Sequence, residues 1–298
     1  MKTRIIVSAV LLPIFFLVLF VFPPLVLTVV ISAICAIAAY ELLHATKIIN
    51  KRVIVYTIIA AVFTPLAVYL TRVAAMSDDG TVNNDNISIM LHFTLLFSIF
   101  FILICQLLIE LALTFKNKKA EEKGTKLKLR QIPITIAAGM LIPYLLSALI
   151  SLKTMPYGHL FVLLPIVAAF VTDSGAYFTG VTIGKTKAFP TISPNKTVEG
   201  YIGGIISGII GMLIYGVILS STTPLIIIYP ALIFYGILGA IMTELGDLTF
   251  SLIKRKCGIK DYGKLIPGHG GALDRFDSMT FAAPTMFLLV IAIPAIIF

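Results

Sequence analysis

The sequence predicts an all-α, polytopic integral membrane protein, and its composition is the first observation behind that prediction. Of its 298 residues, 59% are hydrophobic and only 12% are charged. Soluble domains carry about 25% charged residues. The mean hydropathy is +1.04, and apolar runs recur up to the last residue. A cleaved signal peptide would not account for apolar runs along the whole chain.

The second observation is the length of the apolar runs, which indicates about nine transmembrane helices. Each run has roughly 20 residues, the number that crosses about 30 Å of hydrocarbon as a helix. The runs lie near residues 4–22, 24–43, 53–71, 88–114, 131–150, 158–178, 199–219, 225–243 and 279–297. Pro23 and Pro24 predict a tight turn between the first two, and Asp173 is expected to interrupt the sixth.

The third observation is the distribution of positive charge, which predicts a cytosolic N-terminus. With the N-terminus inside, only Arg72 and Lys153 of the 23 Lys and Arg residues fall on outer segments. Inner loops of membrane proteins carry such an excess of Lys and Arg. The net charge of +9 is therefore assigned to topology and to the anionic inner leaflet, and no nucleic-acid partner is expected.

Polar chemistry divides the chain into two regions. Residues 1–157 are interpreted as scaffold helices with dimer or lipid contacts, and 158–298 as a catalytic region. The catalytic region carries its polar residues on two predicted cytosolic loops, 171–200 and 244–279.

The second loop begins as a predicted extension of the eighth helix. Glu244, Asp247, Ser251 and Lys254 are spaced three, four and three apart, so they share one helix face. The helix is expected to end near Gly258. Acidic residues close to lipid are costly and usually line a wet site or bind a cation.

The rest of the second loop interleaves acidic, basic and glycine residues. Pro267-Gly268-His269-Gly270-Gly271 is followed by Asp274, Arg275 and Asp277. Glycines let backbone N–H groups approach an anion, carboxylates suit Mg²⁺, and basic side chains suit phosphate. The pattern predicts a metal–polyphosphate site, and charge-paired helix ends are the alternative.

The first loop offers weaker signals. The string GVTIGKT at 180–186 has three residues between its glycines, whereas a P-loop needs four, so an ATPase is excluded. Ser193 and Pro194 predict a helix start, with Ser193 as N-cap and Pro194 in the first turn. Lys196 in that turn would hold a phosphate, and a capped helix with no further role is the alternative.

Together, these segments resemble the signature of the phosphatidate cytidylyltransferases, also called CDP-diacylglycerol synthases. The signature is similar to Ser251-x-x-Lys254-Arg255, Lys260-Asp261-x-Gly263 and the run from Pro267 to Asp277. The blocks DSGAYFTG and SPNKTVEG, within 171–200, resemble the companion motifs of the family. The resemblance implies that CTP and phosphatidic acid give CDP-diacylglycerol and pyrophosphate, with Mg²⁺, at a cytosol-facing site of a homodimer.

The resemblance also implies residue roles. Asp247 and Asp274 are expected to hold one or two divalent cations, with Asp277 as a further ligand or a charge partner. The residues expected to hold phosphates are Lys254, Arg255, Lys260 and Arg275. The residues expected to complete the substrate pocket are Asp173, Ser193, Asn195, Lys196, Ser251, His269, Gly270 and Gly271.

Three other functions fit this sequence less well. An ion-coupled transporter would place its acids along a midplane path, but here they cluster at one predicted membrane face. A CDP-alcohol phosphotransferase would contain a motif similar to DGxxAR, which this sequence lacks. A structural scaffold needs no metal-ready cluster. The sequence therefore favours a lipid cytidylyltransferase in the inner membrane of a bacterium, surrounded by membrane lipids.

Overall fold

Transmembrane helices dominate the computed structural model, which describes residues 13–75, 86–116, 127–263 and 270–297. Within those ranges eight helices are long and apolar enough to span a membrane. They are α1 (Pro24–Ala45), α2 (Lys51–Ala74), α3 (Asn86–Lys116), α4 (Leu129–Lys153), α5 (Gly158–Thr182), α6 (Val198–Thr222), α7 (Tyr229–Lys256) and α8 (Leu273–Ala292). These confirm the predicted polytopic all-α class.

The first predicted span, 4–22, falls only partly on described residues. Residues 13–20 are helical and 4–12 lie outside the described ranges. The predicted break at Pro23 and Pro24 is confirmed, because Pro23 is the extended N-cap of α1 and Pro24 its first residue. Pro is favoured at this position because the first helical N–H has no intrahelical acceptor.

Two predictions about the helix bodies had opposite outcomes. The expected interruption at Asp173 was wrong, because α5 is helical without a break from Leu163 to Thr182. A single carboxylate at a helix surface does not disturb backbone hydrogen bonds. The extension of α7 past its apolar run is confirmed: the helix ends at Lys256, and Gly258 follows in the left-handed region at φ 73°.

The predicted helix start at Ser193 and Pro194 was also wrong. Ser193–Thr197 is a strand, β2, paired antiparallel with β1 (Lys187–Phe189). The residue before a proline prefers extended backbone, and an N-cap residue does as well, so the same local signal fits both structures. The helix begins after Thr197, whose hydroxyl accepts the N–H of Gly200 at 3.1 Å.

The second small sheet lies at the other ends of the same group of helices. Strand β3 (Ile226–Ile227) pairs antiparallel with β4 (Ile296–Ile297). The hydroxyl of Tyr235 donates to the carbonyl oxygen of Ile293 at 2.9 Å. These contacts fix the end of α8 against the start of α7.

The chain forms two compact units, and the first unit contains a distant piece of sequence. It comprises Met1–His159 together with Ile259–Arg275. The start of α2 and the last turns of α3 are joined in this unit, because Glu110 accepts from the side-chain amide of Asn50 at 3.1 Å and lies 3.5 Å from Arg52.

The second unit comprises Leu160–Gly258 and Phe276–Phe298. Its helices pack closely because α6 presents glycines to its neighbours. A Cβ at Gly203 would lie 2.2 Å from Oγ1 of Thr179 on α5, and one at Gly211 would lie 2.9 Å from a methyl carbon of Val171. Small residues at such positions let membrane helices approach closely.

We predict that Gly236→Ala destabilises the second unit. The added methyl group would lie 2.5 Å from Cα of Ile209 on α6, and backbone cannot rotate away as a side chain can. We expect overpacking of about 1–3 kcal/mol, measured as a lower midpoint of thermal denaturation in detergent by size exclusion.

Gly180→Ala is the control for that substitution. Its added Cβ would meet Oγ1 of Thr197 at 3.3 Å and the next atom at 3.8 Å, so its midpoint should fall less. Equal midpoints for the two variants would contradict the close approach of α6 and α7.

Candidate active site

Acidic and basic side chains from four elements meet in the second unit. We call this group the acid–base cluster. It draws one residue from α5, one from β2, three from α7 and one from α8: Asp173, Lys196, Glu244, Asp247, Lys254 and Asp277. The structure thus brings together residues that lie on both of the predicted loops.

Lys196 and Asp247 form the central ion pair of the acid–base cluster. The ammonium group contacts Oδ2 of Asp247, and the side chains are 29% and 24% exposed. Ser251, one turn further along α7, donates its hydroxyl to Oδ1 of Asp247 at 3.3 Å. The Lys196 ammonium also lies 5.4 Å from the centroid of the Tyr201 ring, within range of a cation–π contact.

The charge of Lys196 is stabilised at this position. Burial alone would lower the pKa of the ammonium group, since it disfavours the charged form. The negative charge of Asp247 and the hydrogen bond to it act in the opposite direction, helped by Tyr201 and Asp173, and the pKa of Lys196 lies above its ordinary value. Lys196 therefore stays positively charged at neutral pH.

A second, looser pair lies beside the first. Nζ of Lys254 is 3.9 Å from Oδ2 of Asp277, and these side chains are only 12% and 11% exposed. The backbone N–H of Ser278 donates to Oδ1 of Asp277 at 2.8 Å. The hydroxyl group of Ser278 donates to Oδ2 of Asp173 at 3.4 Å. Asp277 thus partners a lysine, one of the two roles predicted for it.

Glu244 is the most buried acid of the acid–base cluster. It is 6% exposed, and its Oε1 has no hydrogen-bond partner. A Cβ at Gly204 of α6 would lie 2.5 Å from that oxygen, so a larger residue there would displace the carboxylate. Buried carboxylate oxygens normally have donors or a cation as partners. This oxygen is therefore available to a cation or proton.

The donor set of the acid–base cluster fits a hard divalent cation. The cluster contains two ammonium groups and four carboxylates, which belong to Asp173, Glu244, Asp247 and Asp277. One of the carboxylate oxygens, Oε1 of Glu244, has no hydrogen-bond partner. No group of three His, Cys, Asp or Glu side chains within the described ranges forms a ready-made metal cage. Mg²⁺ does not require one, because it is usually held by one or two carboxylates plus substrate phosphates.

Asp274 lies in the first unit, where its carboxylate binds backbone. Oδ2 accepts the N–H of Tyr262 at 2.8 Å and that of Gly271 at 3.0 Å, and the residue is 8% exposed. Gly270 has φ 92°, in the left-handed region that favours glycine. The carboxylate therefore links Tyr262 to Gly271, and its predicted metal role stays a prediction.

The other predicted site residues are more exposed or fall outside the described ranges. Lys260 and Arg275 are exposed in the first unit. Arg255, in the second unit, donates from Nε to the carbonyl oxygen of Ile192 at 3.0 Å, which ties α7 to the loop before β2. On β2 itself, Ser193 is half-buried and Asn195 is exposed. His269 lies outside the described residues.

Two acidic residues with organising contacts were missed by sequence reasoning. The carboxylate of Glu199 accepts the N–H groups of Lys185 at 3.1 Å and Thr186 at 3.2 Å, which shapes the loop before β1. Glu41 is 5% exposed and accepts two backbone N–H groups of the first unit. An acid in the last turn of an apolar span was the available signal for Glu41.

Comparisons with known proteins identify the family. The chain matches the cytidylyltransferase family over residues 2–293. It is 33% identical over 294 residues to the phosphatidate cytidylyltransferase of Bacillus subtilis (strain 168), and the alignment covers 97% of each chain. It is 40% identical over 141 residues to that of Staphylococcus saprophyticus, covering 47% of this chain and 53% of the relative. The resemblance seen in the sequence is confirmed, and the chain belongs to the cytidylyltransferase family.

Proposed function

We propose that this protein transfers the cytidylyl group of CTP to phosphatidic acid, giving CDP-diacylglycerol and pyrophosphate. Family membership supports the reaction class, and the relative from Bacillus subtilis, aligned over 97% of each chain, bears the name phosphatidate cytidylyltransferase. The observation that carries the proposal is the acid–base cluster, in which paired lysines and carboxylates adjoin membrane-spanning helices. Two anionic substrates need such paired charges.

The reaction requires charge neutralisation more than a protein nucleophile. A phosphate oxygen of the lipid, already ionised, attacks the α-phosphorus of CTP, and the bond to pyrophosphate breaks. Lys196 and Lys254 would bind phosphate oxygens and reduce the repulsion between the two anions. Holding attacking and leaving oxygens in line contributes further to the rate.

A divalent cation fits this scheme as cofactor. Mg²⁺, as one or two ions, would neutralise phosphate charge and stabilise the departing pyrophosphate. Asp247 and Asp274 are its proposed ligands, following the family pattern. Asp247 keeps its carboxylate close to both Lys196 and Ser251, so its orientation is fixed before any ligand binds.

We further propose that the N-terminus and the site face the cytosol of a bacterial cell, with the protein in the inner membrane as a homodimer. The bias of Lys and Arg to one set of loops supports this orientation.

A cysteine placed at residue 121 should then react only with a thiol reagent added from the cytosolic side, and a cysteine placed at residue 83 only with reagent added from outside. Labelling of both cysteines from the same side would contradict the proposed topology.

The direct test of the proposed function is an assay of the purified protein. We expect label from radioactive CTP to appear in lipid when phosphatidic acid and Mg²⁺ are both supplied, and a chelator to abolish it. Released pyrophosphate should equal the lipid formed. Incorporation without phosphatidic acid, or none under any condition, would overturn the proposal.

We predict that Lys196→Ala lowers the rate strongly, because it removes a phosphate-binding cation and leaves Asp247 unpaired. Loss of a charge-assisted contact in a transition state costs about 10²–10³ in kcat. Initial rates at saturating CTP measure the effect. Lys187→Ala is the matched control, since Lys187 lies exposed on the other strand of the same hairpin. Equal rates in both variants would leave Lys196 without a part in the reaction.

We predict that Asp247→Asn lowers the rate at least roughly a hundredfold. The substitution keeps the size of the side chain but removes the charge that a hard cation requires. Part of the rate should return at high Mg²⁺ or with Mn²⁺, which accepts similar oxygen ligands. A metal titration measures this, and Asp274→Asn is tested in parallel.

Asp78→Asn, in the predicted outer loop, is the matched control for loss of one carboxylate. It should behave as the wild type at every metal concentration. Near-normal rates for Asp247→Asn at ordinary Mg²⁺ would refute the metal assignment and make Asp247 a charge partner of Lys196 alone.

A further inference from the structure

A carboxylate from the N-terminal half of the chain holds the glycine-rich end of the signature segment. Glu41, in the last turn of α1, is 5% exposed. Its Oε1 accepts the N–H of Ala272 at 3.1 Å and its Oε2 accepts the N–H of Leu273 at 2.9 Å. Each oxygen takes a different backbone donor, so the position and the rotation of the carboxylate are both fixed.

These two donors belong to the start of α8. Leu273 is the first residue of the helix and Ala272 precedes it. The first N–H groups of a helix have no intrahelical acceptor, and the helix dipole favours a negative charge beside them. Hydrogen bonds to an ionised acceptor are about twice as strong as neutral ones. Glu41 therefore satisfies the start of α8 from a distant point in the sequence.

The backbone approaches Glu41 so closely that a side chain at Gly271 or Gly263 would displace its carboxylate. A Cβ at Gly271 would lie 2.5 Å from both oxygens of Glu41, and one at Gly263 would lie 2.1 Å from Oε1. Glycine at these two positions of the signature thus has a steric explanation apart from any approach to phosphate. The carboxylate of Glu41 occupies the space that their side chains would fill.

Asp274 is coupled to Glu41 through three consecutive backbone amides. The N–H of Gly271 donates to Asp274 at 3.0 Å, whereas the next two, of Ala272 and Leu273, donate to Glu41. Moving Ala272 off Glu41 would therefore move Gly271 and release one of the donors that orient Asp274. Groups that orient a metal ligand typically change metal affinity or activity 10–100-fold when lost.

We propose that Glu41 is a positioning residue for the reaction, which acts by holding residues 271–273 so that Asp274 is correctly oriented. The proposal rests on the proposed function, in which Asp274 is a ligand of the divalent cation. In these two hydrogen bonds Glu41 contacts backbone only, so we assign its effect to the position of residues 271–273, which include a donor to Asp274.

The principal variant is Glu41→Gln, which keeps the shape but replaces one acceptor oxygen by an NH₂ group. That group would face a backbone N–H, donor against donor. We expect a rate about 10–100-fold lower and a higher Mg²⁺ concentration for half-maximal rate, with little change in KM for CTP. Glu122→Gln, in the predicted inner loop 116–130, is the matched control and should change neither quantity.

A cycle with Asp274→Asn separates positioning from a general structural role. If Glu41 acts through Asp274, the double variant should lose little more than Asp274→Asn alone. The proposal would be overturned if the rate losses of the two single variants multiplied in the double variant and Glu41→Gln left the Mg²⁺ requirement unchanged.

A second cycle tests the contact itself. Gly271→Ala should severely lower the rate in the wild-type background, but it should lower the rate little further in Glu41→Ala, where the carboxylate no longer occupies the space.

Hydrogen exchange supplies a readout that does not depend on catalysis. Amides in a peptide spanning 270–276 should exchange slowly in the wild type and at least tenfold faster in Glu41→Ala, with Glu122→Gln as control. Glu41→Asp, one methylene shorter, should be intermediate if Glu41→Gln proves too unstable to assay. Fast exchange in the wild type would contradict both the contact and the proposal. Slow exchange in a wild-type protein that has no transferase activity would instead contradict the proposed function and leave the contact of Glu41 supported.

Discussion

A carboxylate buried beside hydrocarbon needs partners, and this requirement governs where the polar parts of the protein lie. For Asp247, Asp277, Asp274 and Glu41 the fold meets it in two chemical forms, whereas Oε1 of Glu244 has no hydrogen-bond partner. In the second unit the partners are lysines, Lys196 for Asp247 and Lys254 for Asp277. In the first unit they are backbone N–H groups, two for Asp274 and two for Glu41.

The two forms have different functional consequences. An ion pair of two side chains can open, so that the lysine binds a phosphate and the carboxylate a cation without large movement of the helices. A carboxylate bound to backbone cannot change partners unless the chain moves. The acid–base cluster is therefore suited to bind charged substrates, whereas the backbone contacts of Glu41 and of Oδ2 of Asp274 keep the signature segment in one conformation, which fixes the orientation of Asp274 for its proposed role as a ligand.

Much of the fold was predictable because it depends on composition over windows of about 20 residues. The extension of α7, its end before Gly258 and the shared face of Asp247, Ser251 and Lys254 follow from helical spacing, and the structure confirms them. Ser193 and Pro194 misled because extended backbone precedes a helix and also forms a strand. The cap that Ser193 was expected to supply is provided by Thr197, directly before the apolar run.

The site was only partly predictable for a different reason. Lys196 and Asp247 were both chosen as site residues from local chemistry, but nothing in either loop specifies that they form a pair. Glu41 was missed because its partners lie 231 and 232 residues away. Local patterns do not record such contacts. Its only sequence signal is an acidic residue within an apolar span, where an acid makes membrane insertion less favourable.

The first unit also sets an order for the biosynthesis of the protein. Glu41 leaves the ribosome 231 residues before Ala272, an interval of roughly 10–50 s at ordinary translation rates. During that time α1 is made, but the backbone donors for the carboxylate of Glu41 do not yet exist. The helices of the second unit up to Gly258 are synthesised within the same interval. The N-terminal unit, although translated first, can reach its final packing only after most of the other unit has been made.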